Sequence, residues 1–468
     1  MTRLWLARLL FETRAPLAIH SGNRDTGFDN QLIRDANGLP YIPASSFTGV
    51  WRNKAMDFLG RDRSEGKYLT EYWFGNTQQD NASARMSVHH GLLVDSQSKP
   101  VQGLLTEQQI LQDPLLSRLY QANPLHRERV RLDDRGCAAD KGKFDTVLLP
   151  RGVRFVTDIR WLQQEGDPEQ EAQWHELLSL LADPAFALGA SVRNGLGKMA
   201  LIASDITPLT LSGQPQAGEK IRRFSQRDSL PQGAVIQAPA AEPFARLGLS
   251  ALGGWRAGSG DRPIGKDTTE HTDIFTFSEQ AVVWNKQQAI WSEKPDVILC
   301  GSTIKGILAH RMAYHYRRLS GDFSELHADD KHSEWLQRPA ELAALFGSDD
   351  SDNPLAGRLI VDDCLIQDPR PLHRTHTSID RFTGGVRHGR LFSEEILWQP
   401  DLLLTLHLLP GEELSPMILQ ALDDTFDDLK MGLIPLGAAA GRGLSLVMHH
   451  PHQVWAIDRT QLSCKGKE

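Results

Sequence analysis

An internal repeat constrains this chain more than any other feature. Six stretches of the first half return in the same order in the second. RLWLARLLFETRAPLAIHSGNRD (3–25) is answered by FARLGLSALGGWRAGSGD (244–261), and FDNQLI (28–33) by FSEQAVV (277–283). PASSFTGVWRNKA (43–55) returns as LCGSTIKGILAHR (299–311), and WFGNTQQDNASARMSVHHGLLVD (73–95) as LFGSDDSDNPLAGRLIVDD (345–363). VRLDDRGCAADKGKF (130–144) matches TSIDRFTGGVRHGRLF (377–392), and LGASVRNGLGKMAL (188–201) matches LGAAAGRGLSLV (436–447). Matches in one fixed order mean a duplicated domain. At 468 residues the chain also exceeds one ordinary core. The sequence therefore divides into a first module over 1–205, a linker over 206–241 rich in Pro, Gly, Gln and Ala, and a second module over 242–468.

Each half reads as strand, turn, strand, helix, insertion, strand, hairpin, helix, strand. Residues 35–52 carry the strand–turn–helix pattern most completely. Asn37-Gly38 is a tight turn needing positive φ, a short apolar strand runs to Pro43, and a helix opens at Ser45-Ser46. Apolar spacing predicts helices over 105–123 (with Leu111, Leu115, Leu116 and Leu119 on one face), 174–184 and 418–432. Strands separated by helices and hairpins give an α+β class: a sheet covered on one face, ferredoxin-like, with insertions.

Composition excludes several functions. The formal charge of -8 gives no global case for nucleic-acid binding, so such a case rests on local basic clusters. Cys137, Cys300, Cys364 and Cys464 are scattered without CxxC spacing, against a disulfide framework or a cysteine-rich zinc site. The apolar run of MTRLWLARLLFETR is broken by Arg8, too short for a membrane span and without a signal-peptide cleavage site, so a cytoplasmic protein is expected. Gly197-Lys198-Met199 fails as a Walker loop, lacking the upstream Gly and the Ser/Thr. His373 with His376, and the run His449, His450 and His452, read as surface histidines before they read as metal ligands.

The G-x-P-x-I-P-x-S-S helix start, a later F-G, an I-D-R/L-D-D hairpin and a late Gly-rich turn together resemble the RAMP superfamily. The chain is most similar to backbone subunits of type III CRISPR effector complexes with two fused modules, and SIDRFTGGVRHGRLFSEE (378–395) is the most specific piece. The resemblance implies two tandem ferredoxin-like (RRM-like) modules, each with a thumb-like β-hairpin insertion. It also implies a guide CRISPR RNA, a complementary target RNA and other type III effector subunits as partners, and no membrane.

Some relatives cut the target with an aspartate in the loop before the opening strand. That aspartate corresponds to Asp29 in GFDNQLIRD. A carboxylate there suits Mg²⁺ or another divalent cation, or orients an attacking 2′-hydroxyl; a plain turn residue is the competing reading. Asp25 is its nearest rival, and Asp35 belongs to the turn. The second copy has Ser278 in that place, with Glu279 beside it and Asp267, Glu270 and Asp273 upstream. One cutting module and one structural module follow. Guide or target contacts are expected at three kinds of place. These are the helix starts (Ser45, Ser46, Arg52; Ser302, Thr303, Lys305), the hairpins (Arg127, Arg129, Arg131, Arg135; Arg374, Arg381, Arg387, Arg390), and the Gly-rich turns (Arg193, Lys198; Arg442). Capping, solvated charge and plain turns are the alternatives. A non-catalytic scaffold, or a guide-processing ribonuclease using His20 as base, are the other functional readings.

Overall fold

The computed structural model describes residues 2–22, 30–59, 63–76, 83–132, 138–163, 168–211, 215–238, 242–258, 260–265, 272–327, 338–348 and 354–462. Strand β1 (Arg3–Thr13) is the axis of the first module, with nine of its eleven residues buried. It lies between β5 (Arg154–Gln163) and β6 (Met199–Thr210), antiparallel to both, with Leu9 opposite Thr157 and Ser204. The short β2 (Met86–Val88) adds outside β5. Helices α1 (Ala44–Leu59) and α2 (Pro168–Ser179) follow β1 and β5. Taken in order, the sheet reads second, third, first, fourth strand of a β-α-β-β-α-β unit, which is the ferredoxin-like arrangement.

The second module repeats it. Strands β7 (Ala245–Ala251), β8 (Leu359–Val361), β11 (Asp401–Leu408) and β12 (Val447–Met448) pair in the order β8-β11-β7-β12. Helices α4 (Gly301–Ser320) and α5 (Pro416–Lys430) follow β7 and β11. Each module carries a hairpin between its second and third sheet strands. These are β3–β4 (Leu125–Leu132, Ala138–Leu148) and β9–β10 (Pro371–Ile379, Val386–Trp398).

Helical periodicity explains the helix packing. Phe47, Trp51 and Ala55 follow one another at i, i+4 and i+8 along α1, and all are buried. Their counterparts Ile304, Leu308 and Met312 do the same along α4. Trp51 Nε1 donates to Leu177 O at 2.8 Å, tying α1 to α2. The predicted helix over 105–123 is two pieces, Glu107–Gln112 and Leu116–Leu119. Pro114 withholds a backbone donor, and the Asp113 carboxylate accepts from the amides of Leu115 and Leu116, restarting the chain. Leu111 consequently lies exposed, while Ile110, Leu115, Leu116 and Leu119 are buried.

The expected linker holds regular structure. Strand β6 continues to Thr210, opposite Arg3, because β1 needs a partner along its whole length. Helix α3 (Pro215–Gln226) then lies across the outer face of the first sheet. There Arg8 and Asp158, facing each other on β1 and β5, form a two-pronged ion pair at 2.9 and 3.0 Å. Arg227 Nε reaches the same carboxylate at 3.1 Å, and Arg8 donates to Ser229 O at 3.1 Å. Phe224 lies beneath the Arg8 and Arg160 guanidinium groups, 4.8 and 5.6 Å from its ring centre. Asp158 is fully buried. Replacing it with Asn would leave two arginines facing each other without their anion. The expected cost is roughly 3–5 kcal/mol in urea unfolding; a loss below about 1 kcal/mol would mean that this face is open to water.

The two modules are clamped together. A hairpin of the second half, Val282–Asn285 and Gln288–Trp291, lies on the first module. Trp284 Nε1 donates to Gly152 O at 2.7 Å and Trp291 Nε1 to Pro114 O at 3.0 Å. The guanidinium groups of Arg154 and Arg118 stack 4.0 Å over those two indoles. Val282 and Ala289 are buried in the first core.

Candidate nucleic-acid interface

The second hairpin projects a basic and apolar tip. Arg381, Arg387 and Arg390 are exposed and have no acid partner among the described residues. Phe382 is 90% exposed, with Arg381 stacked on its ring, and Ile379, Val386 and Leu391 are exposed around it. The Asp380 carboxylate accepts from the amides of Phe382 and Thr383, which closes the turn and holds its pKa below the usual carboxylate range. A cationic surface with uncovered apolar side chains suits phosphates and base faces together.

The first hairpin divides its arginines by strand alternation. On β3, Arg131 is exposed at the outer end; Arg135 lies outside the described residues. Arg129 is partly buried, donating to Thr146 Oγ1 at 3.3 Å and Ser191 Oγ at 3.4 Å. Arg127, expected on the RNA side, is 4% exposed and faces the second module instead. It donates to both carboxylate oxygens of Glu279 at 2.6 and 2.9 Å and to Asp363 at 2.8 Å. Burial opposes its charge, but the Asp363 and Glu279 carboxylates outweigh burial and hold it protonated. The adjacent Cys300 thiol is pushed up to about 12, chiefly by burial.

Other expected contact residues belong to the same seam. Lys198 bonds Asp362 at 2.6 Å, and the Arg193 carbonyl accepts from Lys305 at 3.4 Å. Burial alone would raise the Asp362 carboxyl, yet His407 and Lys198 together hold it low. Gly195, at φ +89°, lies so close to Asp363 that a Cβ would sit 2.7 Å from its carboxylate. In the second module Arg442 is exposed, 3.9 Å from Glu394, and Gly443 opens onto free space.

The two helix starts differ in the same way. At α4, the Gly301 amide donates to Asp363 Oδ1 at 2.7 Å, so the protein's own carboxylate fills the anion position beside Ser302 and Thr303. At α1, the matching Ala44 amide donates to His90 Nδ1 at 3.0 Å. Ser45 and Ser46 are exposed, Gly49 opens onto free space, and Arg52 is half-buried with no partner among the described residues. A sixteen-residue helix with an uncharged cap and exposed hydroxyls is free to meet a phosphate there.

A family model described as the RAMP superfamily matches residues 10–200 and 293–445, well over half of the chain. The chain belongs to the RAMP superfamily. Proteins of this superfamily generally belong to CRISPR-associated complexes, where they bind CRISPR RNA. A comparison with curated proteins found no match. The two matched regions fall on the two ferredoxin-like modules, so this is a RAMP protein with two modules. No helix among the described residues is long and apolar enough to cross a membrane.

Asp29 and Asp25 of the first RAMP module lie outside the described residues, as do Asp267 and Glu270 of the second. The segment holding Asp29 departs and returns at paired positions, with Ser21 N donating to Gln31 O at 3.0 Å. His20, at its base, is partly buried with its Nε2 unbonded and its pKa lowered, chiefly by burial. In the second module Ser278 is buried, and Glu279 is committed to Arg127. The Asp273 carboxylate accepts from the Ser393 amide at 2.8 Å.

Sequence reasoning missed one donor set. His126, Glu128 and Asp145 bring ligand atoms within 4.8 Å of one another on one face of the first hairpin. Glu128 and Asp145 are paired across β3 and β4, and His126 lies two residues before Glu128. The i, i+2 spacing was a visible signal; the pairing with Asp145 was not. Two carboxylates and an imidazole fit Mn²⁺ or Zn²⁺ better than Mg²⁺, which prefers oxygen ligands. Lys143 already neutralises Glu128 at 3.2 Å and lowers its pKa through that hydrogen bond.

Lys305 provides a test of the seam. Burial lowers its pKa from an ordinary 10.5 to about 8, so the unfolded chain binds more protons between those values. Stability should therefore rise with pH across that window. Lys305→Met should flatten the slope and raise stability at pH 7 (checked by chemical unfolding at a series of pH values).

Proposed function

We propose that this RAMP protein is a guide-RNA-binding backbone subunit of a type III CRISPR effector complex. In this reading the first module cuts the complementary target RNA at Asp29, and the second is structural. The observation that carries RNA binding is the cationic tip, Arg381, Arg387 and Arg390 around Phe382, with no acid partner among the described residues of an acidic chain. Its position between the second and third sheet strands is the same as that of the first hairpin, so two such fingers extend from one chain. The open start of α1, with Ser45, Ser46 and Arg52, offers a second phosphate contact. Arg127 and Lys198 have no part in this reading, because the seam already pairs their charges with carboxylates, and Lys305 is buried against the Arg193 carbonyl.

The difference between the modules supports a single cutting site. The sequence match sets Ser278 against Asp29, and both Glu279 and Asp273 already accept hydrogen bonds. In the first module, Asp29 would orient the attacking 2′-hydroxyl, with a divalent cation stabilising charge on the scissile phosphate.

Asp29→Ala in the reconstituted guide complex should lower formation of one discrete target product by about 100-fold or more, with target binding retained. Unchanged products would make the protein a scaffold or move the cut to Asp267, Glu270 or Asp273. Replacing Arg381, Arg387 and Arg390 by Ala should weaken RNA binding at every sequence. The slope of log affinity against log salt should fall by about 0.7 for each lost phosphate contact. An unaltered slope, measured by filter binding, would remove the hairpin tip from the interface.

A further inference from the structure

Backbone bonds align the two modules more closely than the sequence match does. Ile33 N donates to Ile19 O at 2.9 Å, and Phe277 N donates to Ala257 O at 2.8 Å. Just before them, Gln31 O accepts from Ser21 N, and Phe275 O from Gly260 N. Counted back from these bonds, Asp29 takes the place of Asp273 rather than that of Ser278. The hairpins align as well. Leu149 pairs with Leu17 as Leu397 pairs with Trp255, so Asp145 answers Ser393. Glu128, opposite Asp145, answers Thr375, opposite Ser393, and His126 answers His373.

In the second module this is where the returning loop is fastened to the hairpin. The Asp273 carboxylate accepts from the Ser393 amide at 2.8 Å, Ile274 bridges to Glu394, and Thr272 Oγ1 bonds His373 Nδ1 at 3.1 Å. A backbone amide holds that carboxylate without any cation.

The first module has acids in the same place. Glu128 and Asp145 face each other directly across β3 and β4, which is unfavourable for like charges unless a cation lies beside them. Lys143 brings an ammonium to 3.2 Å from Glu128. Its pKa is raised by that bond and by the Asp145 charge. The place therefore already draws in a cation, and the lysine side chain, 59% exposed, can turn away when a doubly charged ion arrives. His126 adds an imidazole on the same face, with all three ligand atoms within 4.8 Å of one another. One nitrogen and two carboxylates suit Mn²⁺.

We propose that His126, Glu128 and Asp145 bind a divalent cation of the Mn²⁺ class in place of Lys143, and that this ion serves the Asp29 site. The role of the ion rests on the cleavage reading; the donor set does not. The second module has two hydroxyls, Thr375 and Ser393, where the first has two carboxylates. One cutting module is then expected even though both carry an aspartate at this point of the loop.

The test is titration of the full-length chain with Mn²⁺ alone, read by the electron paramagnetic resonance of the free ion. The Asp29→Ala chain should still take up Mn²⁺, so that binding is read without cleavage. Glu128→Gln and, separately, Asp145→Asn should each weaken uptake by about tenfold or more, and Lys143→Met should tighten it. Glu128 is exposed, so its replacement should leave thermal unfolding unchanged, which excludes misfolding as the cause. In the guide complex, Glu128→Gln should raise the Mn²⁺ concentration needed to form the Asp29-dependent product. No uptake by the unaltered chain, or uptake unaffected by both carboxylate variants, would overturn the site. Weakened uptake with an unaltered Mn²⁺ requirement for cleavage would overturn the ion's role. Weakened uptake with no target product from any chain would uphold the site and sink the cleavage reading, with the ion's role in it.

Discussion

The Arg127 guanidinium, held between Glu279 and Asp363, is the interaction on which the arrangement of this molecule depends. It joins the base of the first hairpin to the start of the second module's long helix. Asp363 serves both, accepting from Arg127 on one oxygen and from the Gly301 amide on the other. Three charges buried together are stable only as a set; removal of one partner leaves an uncompensated ion. The apolar clamp of Val282, Trp284 and Trp291 supplies burial beside the charges, and the charges supply register. A cleft of about 330 Å³ remains in the seam, lined by Arg14, Lys198, Asp296 and Asp362 among others.

Duplication has kept the backbone and altered the chemistry. Both modules open their first helix in the same way, yet one start is capped by an imidazole and the other by a carboxylate. That single exchange decides which start can attract a phosphate. The capped carboxylate turns the second start toward its neighbour module, while Ser45 and Ser46 remain in water. The hairpins have parted similarly. The inner face of the first holds the modules together, whereas the tip of the second carries exposed cations with no acid partner among the described residues. A two-module RAMP protein of this kind has an ordered front and back.

Much of this was legible in the sequence. The ordered matches announced two copies of one fold, and strand–helix alternation gave the ferredoxin-like class. The helix start at Ser45-Ser46 was visible too, and its core face, Phe47, Trp51 and Ala55, follows from the i, i+4 period. These are local properties, set by backbone geometry and apolar period, and they survive without knowledge of the partner. The break at Asp113-Pro114 was also written in the residues, but apolar spacing on either side concealed it.

What the sequence could not decide was the destination of each charge. Arg127, Lys198 and Lys305 look like the arginines of the second hairpin until the modules are placed together. Their partners lie 152, 164 and 112 residues away, and no pattern in one segment encodes them. The same holds for Arg8, whose partner Asp158 is 150 residues distant, and for the helix hidden in the supposed linker. A sequence determines which residues can be charged, capped or apolar, because those are properties of the side chain and its near neighbours. Only the tertiary structure decides whether a cation is spent on a carboxylate or left for a phosphate, because ion pairing depends on distance in space.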